Sequence, residues 1–130
     1  VIVVDASALV EVLLRTPAAA QVEKRMFVTD QTMHAPHLLD IEVAHVIRRY
    51  AASGEISDER GRHALVDLAD LPVQRYPHAV LLPRIWSLRH SISAYDAAYV
   101  ALAEALDANL ITRDKRLAAA RGHHATIELV

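Results

Sequence analysis

Val1-Ile2-Val3-Val4 is a run of β-branched residues with no polar alternation, and it stops at Asp5. Strands with one wet face alternate apolar and polar residues, so an unbroken run predicts a strand covered on both faces, as in a parallel sheet between helices. The rest of the chain keeps to that plan. Residues 6–15 are predicted helical, Thr16-Pro17 opens a second helix over 18–25, and residues 32–36 form a short strand and turn. A strong helix over 38–52 is stopped by Ser53-Gly54, and Ser57 caps a helix that runs to Asp70 with Asp58 and Glu59 in its first turn. Residues 71–75 read as a strand, and 77–89 as a helix that Pro83 delays or kinks. The pattern ends with an amphipathic helix over 93–106, a strand over 110–112, a short helix over 114–120 and a strand over 126–129. Helices alternating with short apolar strands predict α/β architecture: a three-layer sandwich with a short central parallel sheet flanked by helices.

A chain of 130 residues is expected to form one domain, 1–130, with a substantial core. Its 53% hydrophobic content and mean hydropathy of +0.17 are high for a soluble monomer, so apolar surface is expected to remain for a homodimer or a bound partner. The balance of 14 basic and 16 acidic residues excludes a generally basic nucleic-acid coat but not a local basic rim. With no cysteine, disulfides, thiolate catalysis and cysteine–zinc sites are all excluded. The four-residue apolar run before Asp5 lacks the features of a signal peptide, and no segment reaches the roughly 20 apolar residues of a membrane span. A cytoplasmic protein with no membrane partner is the expectation.

Four acids stand at strand ends or on apolar helices: Asp5, Glu42, Asp96 and Asp114. Burying such groups together is costly, because desolvation and mutual repulsion both oppose their ionisation unless a cation neutralises them. Hard divalent ions such as Mg²⁺ or Mn²⁺ suit a carboxylate cluster free of Cys and His. Asp5 ends a central strand and Asp114 follows another that ends in Thr112, so both are predicted to face one crevice beyond the carboxyl edge of the sheet.

Each acid also has a purely structural reading. Asp5 and Asp114 suit N-caps, and Ser93-Ala94-Tyr95-Asp96 fits a capping box, although Asp96 shares a face with Tyr99, Val100 and Ala103. Glu42 borders the stripe Leu39, Val43, Val46, Tyr50 with no Lys or Arg three or four residues on, so a solvated helix acid explains it least well. The case rests on their joint placement.

Ser7 and Thr112 are hydroxyls suited to orienting those carboxylates, with ordinary helix-start and strand-end roles as the alternative. The eight histidines show no zinc spacing. Arg48 and Arg49 follow Glu42 by about two turns, while Arg113 and Arg116 flank Asp114; all four are candidate RNA phosphate contacts, with a solvated surface as the competing reading. Trp86 and Tyr95 are able to stack bases, but a lone helical Trp belongs more often to the core.

The segments Val3-Val4-Asp5-Ala6-Ser7-Ala8-Leu9-Val10, 35–43 around Glu42, Tyr95-Asp96-Ala97-Ala98-Tyr99 and Leu110-Ile111-Thr112-Arg113-Asp114, in that order and with Trp86 and Leu88-Arg89-His90 between, resemble PIN-domain ribonuclease toxins of the VapC type. The resemblance spans essentially the whole chain. It implies that Asp5, Glu42, Asp96 and Asp114 match the family's acidic quartet and Thr112 its accompanying hydroxyl. It further implies a PIN-like fold, Mg²⁺ or Mn²⁺ dependence, homodimers, a structured RNA substrate (tRNA, rRNA or mRNA), and a cognate VapB-like antitoxin whose C-terminal segment blocks the site.

On this reading the chain hydrolyses RNA with a metal-activated water. Asp5, Glu42 and Asp96 are the principal ligands, Asp114 a ligand or water-orienting base, and the cut falls in an exposed loop. A phosphohydrolase with Asp5 as nucleophile is a rival, but it wants a second Asp where Ser7 stands. The other rival is a non-catalytic interaction module on the same fold.

Overall fold

A computed structural model describes all 130 residues. Its centre is a five-stranded sheet in the order β3-β2-β1-β4-β5, parallel throughout. Strand β1 (Ile2–Val4) lies in the middle, where both faces are covered, which is why its sequence tolerates no polar alternation. Helix α1 (Ala6–Leu13) leaves directly from its carboxyl end, and α2 (Ala19–Met26) leads to β2 (Met33–Pro36). Helices α3 (Leu38–Ala52) and α4 (Asp58–Asp70) then precede β3 (Val73–Tyr76) at one edge.

The chain next crosses to the other side of β1. A 3₁₀ turn (Ala79–Leu81), α5 (Leu82–Ser87) and α6 (Ala94–Leu106) lead to β4 (Asn109–Thr112), and α7 (Lys115–Ala118) to the edge strand β5 (Ile127–Leu129). Helices α1, α3 and α4 pack on one another, as do α5 and α6, so the sheet is the middle of three layers. The reversal of direction at β1 creates a crevice between the carboxyl ends of β1 and β4, where sheets of this order bind ligands.

One cluster of 30 buried residues forms the core. Leu9 on α1 and Leu39 on α3 are fully buried; truncating either to Ala costs ~2–5 kcal/mol. Helix α3 ends where predicted, because Gly54 takes a left-handed φ of 81° that a side chain resists. The predicted helix over 77–89 is instead a 3₁₀ turn and a short α5 with Pro83 in its first turn. There the missing proline N–H has no helical partner to lose. No helix is long and apolar enough to cross a membrane.

The expectation that Trp86 belongs to the core is corrected. Helix α5 has no buried residue, and Trp86 is 67% exposed with the Arg89 guanidinium 4.4 Å from its ring centroid.

Candidate active site

The end of β1 organises the crevice. Asp5 adopts an extended backbone, caps α1 by accepting from the Ala8 amide at 3.1 Å, and is 5% exposed. Its capping and functional readings are therefore compatible. Asp5 Oδ1 also accepts from the Ser7 hydroxyl at 2.7 Å, and Oδ2 accepts from the Thr112 hydroxyl. Each hydroxyl has one proton and gives it to Asp5, so the 3.3 Å approach of Ser7 Oγ to Thr112 Oγ1 is a contact and not a further bond. Their lone pairs receive backbone amides: Arg113 N donates to Ser7 at 2.9 Å and Asp114 N to Thr112 at 2.9 Å. Two small hydroxyls thereby lock the turn after β4 against the end of β1.

That turn sets the second acid. Asp114 caps α7, its Oδ1 accepting from Arg116 N at 2.8 Å and Leu117 N at 3.3 Å, which leaves Oδ2 free. Asp96 lies in the first turn of α6, where its own amide donates to the Ser93 hydroxyl at 3.2 Å. Glu42 sits one turn into α3, beside the buried row Leu39, Val43, Ile47. All four acids line a single cleft of about 510 Å³, together with Ser7, Ile41, His45, Tyr95 and Tyr99. The topology has brought together groups from four separate segments.

The electrostatics match that crowding. Burial pushes Asp5 up to about 6, against the pull of its three donors. Burial also raises Glu42 and Asp96, and the neighbouring Asp96 and Asp114 charges, respectively, raise them further. No Arg, Lys or His forms an ion pair with any of the four; the ion pairs of the fold all involve other acids. Arg116 merely lies near enough to ease the ionisation of Asp96.

Although they share the cleft, no three of these acids stand close enough together to hold an ion as they are. Asp5 is fixed by its donors, whereas neither Glu42 nor Asp96 is pinned by a hydrogen bond to its carboxylate. By strict geometry the Tyr99 hydroxyl has no hydrogen-bond partner, yet it lies near enough to Glu42 to favour the ionised carboxylate, as Ser93 does for Asp96. Sequence reasoning missed Tyr99 as anything but core. It is buried, yet its hydroxyl opens to the acids, and its place one turn beyond Asp96 was the available signal.

The cationic candidates divide. Arg48 and Arg49 are exposed on α3, and Arg49 continues the face of Glu42 and His45 about 10 Å further along the helix axis. Arg116 is exposed beside the cleft. Arg113 differs: its guanidinium donates to the Val130 carbonyl at 2.7 Å and approaches Glu11 at 3.7 Å. Tyr95 stands 63% exposed at the cleft rim.

An acid-lined cleft at the carboxyl edge of a 3-2-1-4-5 parallel sheet defines the class: an α/β protein with its cleft where open parallel sheets place ligands. The PIN domain family model matches residues 2–122. Ribonuclease VapC1 of Mycobacterium tuberculosis is 50% identical over 129 residues, covering 98% of this chain and 96% of that protein. Ribonuclease VapC12 of the same organism is 46% identical, covering 99% and 98%. Among solved structures, that of M. tuberculosis VapC20, described as a sarcin-ricin loop cleaving toxin, superposes with a TM-score of 0.70 at 17% identity over 92% of this chain and 94% of that one. The chain belongs to the PIN-domain family, within its VapC branch.

Proposed function

We propose that this chain is a divalent-metal-dependent endoribonuclease, the toxin of a toxin–antitoxin pair. The observation that carries the proposal is the gathering of Asp5, Glu42, Asp96 and Asp114 into one cleft with no basic side chain paired to them. The names and high identity of the VapC1 and VapC12 relatives support RNA as the substrate.

The donor set fits Mg²⁺ or Mn²⁺: every acidic ligand is a hard carboxylate oxygen, and burial first, then the neighbouring acids, raise the proton affinity of Asp5, Glu42 and Asp96, costs that a bound cation would offset. Asp5, Glu42 and Asp96 would hold the ion, with Asp114 beside them. When bound, the ion supplies charge neutralisation at the scissile phosphate and acidifies a coordinated water. The chain's own residues do the rest. Ser7 and Thr112 keep Asp5 ionised and oriented, with a lone pair of Oδ2 to spare. The free Oδ2 of Asp114 orients a water and takes its proton. Arg48, Arg49 and Arg116 grip flanking phosphates, while Arg113, already engaged, holds the fold. The narrow cleft favours unstacked nucleotides, hence an exposed loop of a structured RNA.

The same reading gives the chain a VapB-like antitoxin that covers the cleft and a homodimeric state in a cytoplasmic setting. Exposed Val80, Leu82 and Trp86 provide apolar surface consistent with association. The test is cleavage of total RNA by the purified chain, with new 5′ ends mapped. Cutting with Mg²⁺, none with EDTA and none by Asp96→Asn is the expected result. Equal cutting with EDTA, or full activity in that variant, overturns the proposal.

A further inference from the structure

Two polar side-chain atoms in the fold are buried with no partner: Nδ1 of His123 and the hydroxyl of Tyr99. The imidazole of His123 already pairs its other nitrogen with the Ala120 carbonyl at 2.9 Å, away from the cleft. Tyr99 is different. It is 2% exposed, its ring packs in the core at the cleft, and its buried hydroxyl lies near Glu42, Asp5 and Asp96. Phe would fill the same space without burying an unmatched hydroxyl, so its retention calls for a use.

The arrangement around Asp5 indicates what that use is. Asp5 is oriented by two hydroxyl donors, Ser7 and Thr112. Glu42 accepts no hydrogen bond of full geometry and enters no ion pair, although His45 shares its face of α3, and the hydroxyl nearest it is that of Tyr99. A phenol keeps its proton at neutral pH, so this hydroxyl has a proton to donate. In the present arrangement the bond to Glu42 is not completed, and no three acids meet.

We propose that Tyr99 is a positioning residue: its buried hydroxyl donates to Glu42 once the acids close around a divalent ion, fixing the carboxylate for ligation. This rests on the metal-site reading above. Tyr99 does for the helix-borne acid what Ser7 and Thr112 do for the strand-borne one. The difference is timing: the Asp5 donors are engaged in advance, and the Glu42 donor waits.

The test is calorimetric titration of the folded full chain with Mn²⁺ alone, in parallel with thermal unfolding of the metal-free protein. Tyr99→Phe is expected to bind Mn²⁺ at least about tenfold more weakly, a factor that corresponds to losing one charge-assisted hydrogen bond. Its metal-free Tm is expected to equal or exceed that of the parent, because an unmatched buried hydroxyl is gone. In a Glu42→Gln background the same substitution is expected to have little further effect on Mn²⁺ affinity. Unchanged affinity in Tyr99→Phe overturns the positioning role while leaving the metal site standing. A lowered Tm with weaker binding, or losses that add in the double variant, also overturns it. Absence of Mn²⁺ binding by the parent chain overturns both this role and the metal reading.

Discussion

The acids at the margins of this protein and those in its cleft are treated in opposite ways. Asp40 receives Arg75 in a bidentate pair, with Nε at 2.9 Å from Oδ2 and Nη2 at 2.9 Å from Oδ1, joining β3 to α3. Glu128 receives Arg25 at 2.7 and 2.8 Å and so ties edge strand β5 to α2, and Glu104 receives Arg84 from α5. One residue separates Asp40 from Glu42 on one helix, yet the first has an arginine and the second has none. Cations are used at the seams between elements and withheld from the cleft. The Arg25 partner lowers Glu128, whereas burial in the cleft raises the affinity of Asp5, Glu42 and Asp96 for protons. A fold that buries several carboxylates together without an ion pair gives up stability at that place.

That contrast is open to attack at each end. The largest effect is expected from Asp5→Asn, which should lower RNA cleavage by at least about a thousandfold, beyond the tenfold to hundredfold typical of groups supporting a metal ligand. A gel assay with Mg²⁺ measures it, and near-normal cutting would place the chemistry elsewhere. Thr112→Val removes one donor from Asp5 and leaves its charge, so about tenfold to a hundredfold is expected there, read as a higher Mg²⁺ concentration for half-maximal rate.

Stability should respond to pH with opposite signs at the two sites. Asp5 in the folded chain holds its proton up to about pH 6 and in the unfolded chain only to about 3.8. Its contribution is therefore fully present below pH ~4 and fades as pH rises to ~6, an upper limit of ~3 kcal/mol. Glu128, lowered by Arg25, contributes above the ordinary carboxylate range and loses that contribution as pH falls. Thermal unfolding of metal-free Asp5→Asn should lack the decline between pH 4 and 6. A parallel curve in parent and variant would argue against a strained Asp5. The smallest effect is expected from Asp40→Asn: about 1 kcal/mol of stability from a partly exposed pair, with RNA cleavage retained. Loss of cleavage in that variant would erase the distinction between seam and cleft.

Several elements were legible before any coordinates. The unalternated run at Val1–Val4 reads as a doubly covered strand, which the fold forms over Ile2–Val4 with Val1 left exposed; Ser57 and Ser93 marked helix starts, and Gly54 marked a stop. Pro83 was read correctly as a late start, but the 3₁₀ turn before it was not foreseen, because its bonds depend on how the crossing segment meets α6. Trp86 misled for a related reason: composition places tryptophan inside, and only the six-residue length of α5 leaves it without a core to join. Among the cations, the engagement of Arg113 with Val130 and Glu11 was invisible, since those partners lie far away in sequence.

The sequence by itself determined the local pieces, meaning the alternation of strand and helix, the caps, and the presence of four acids at element ends, because propensity, capping and periodicity act within a few residues. Only the tertiary structure decided which acids share a cleft and which meet an arginine, that Asp5 is gripped by hydroxyls from two distant segments, and that the Tyr99 hydroxyl faces Glu42 unbonded. Those facts depend on through-space distance, and chain separations of up to 107 residues carry no trace of it in local pattern.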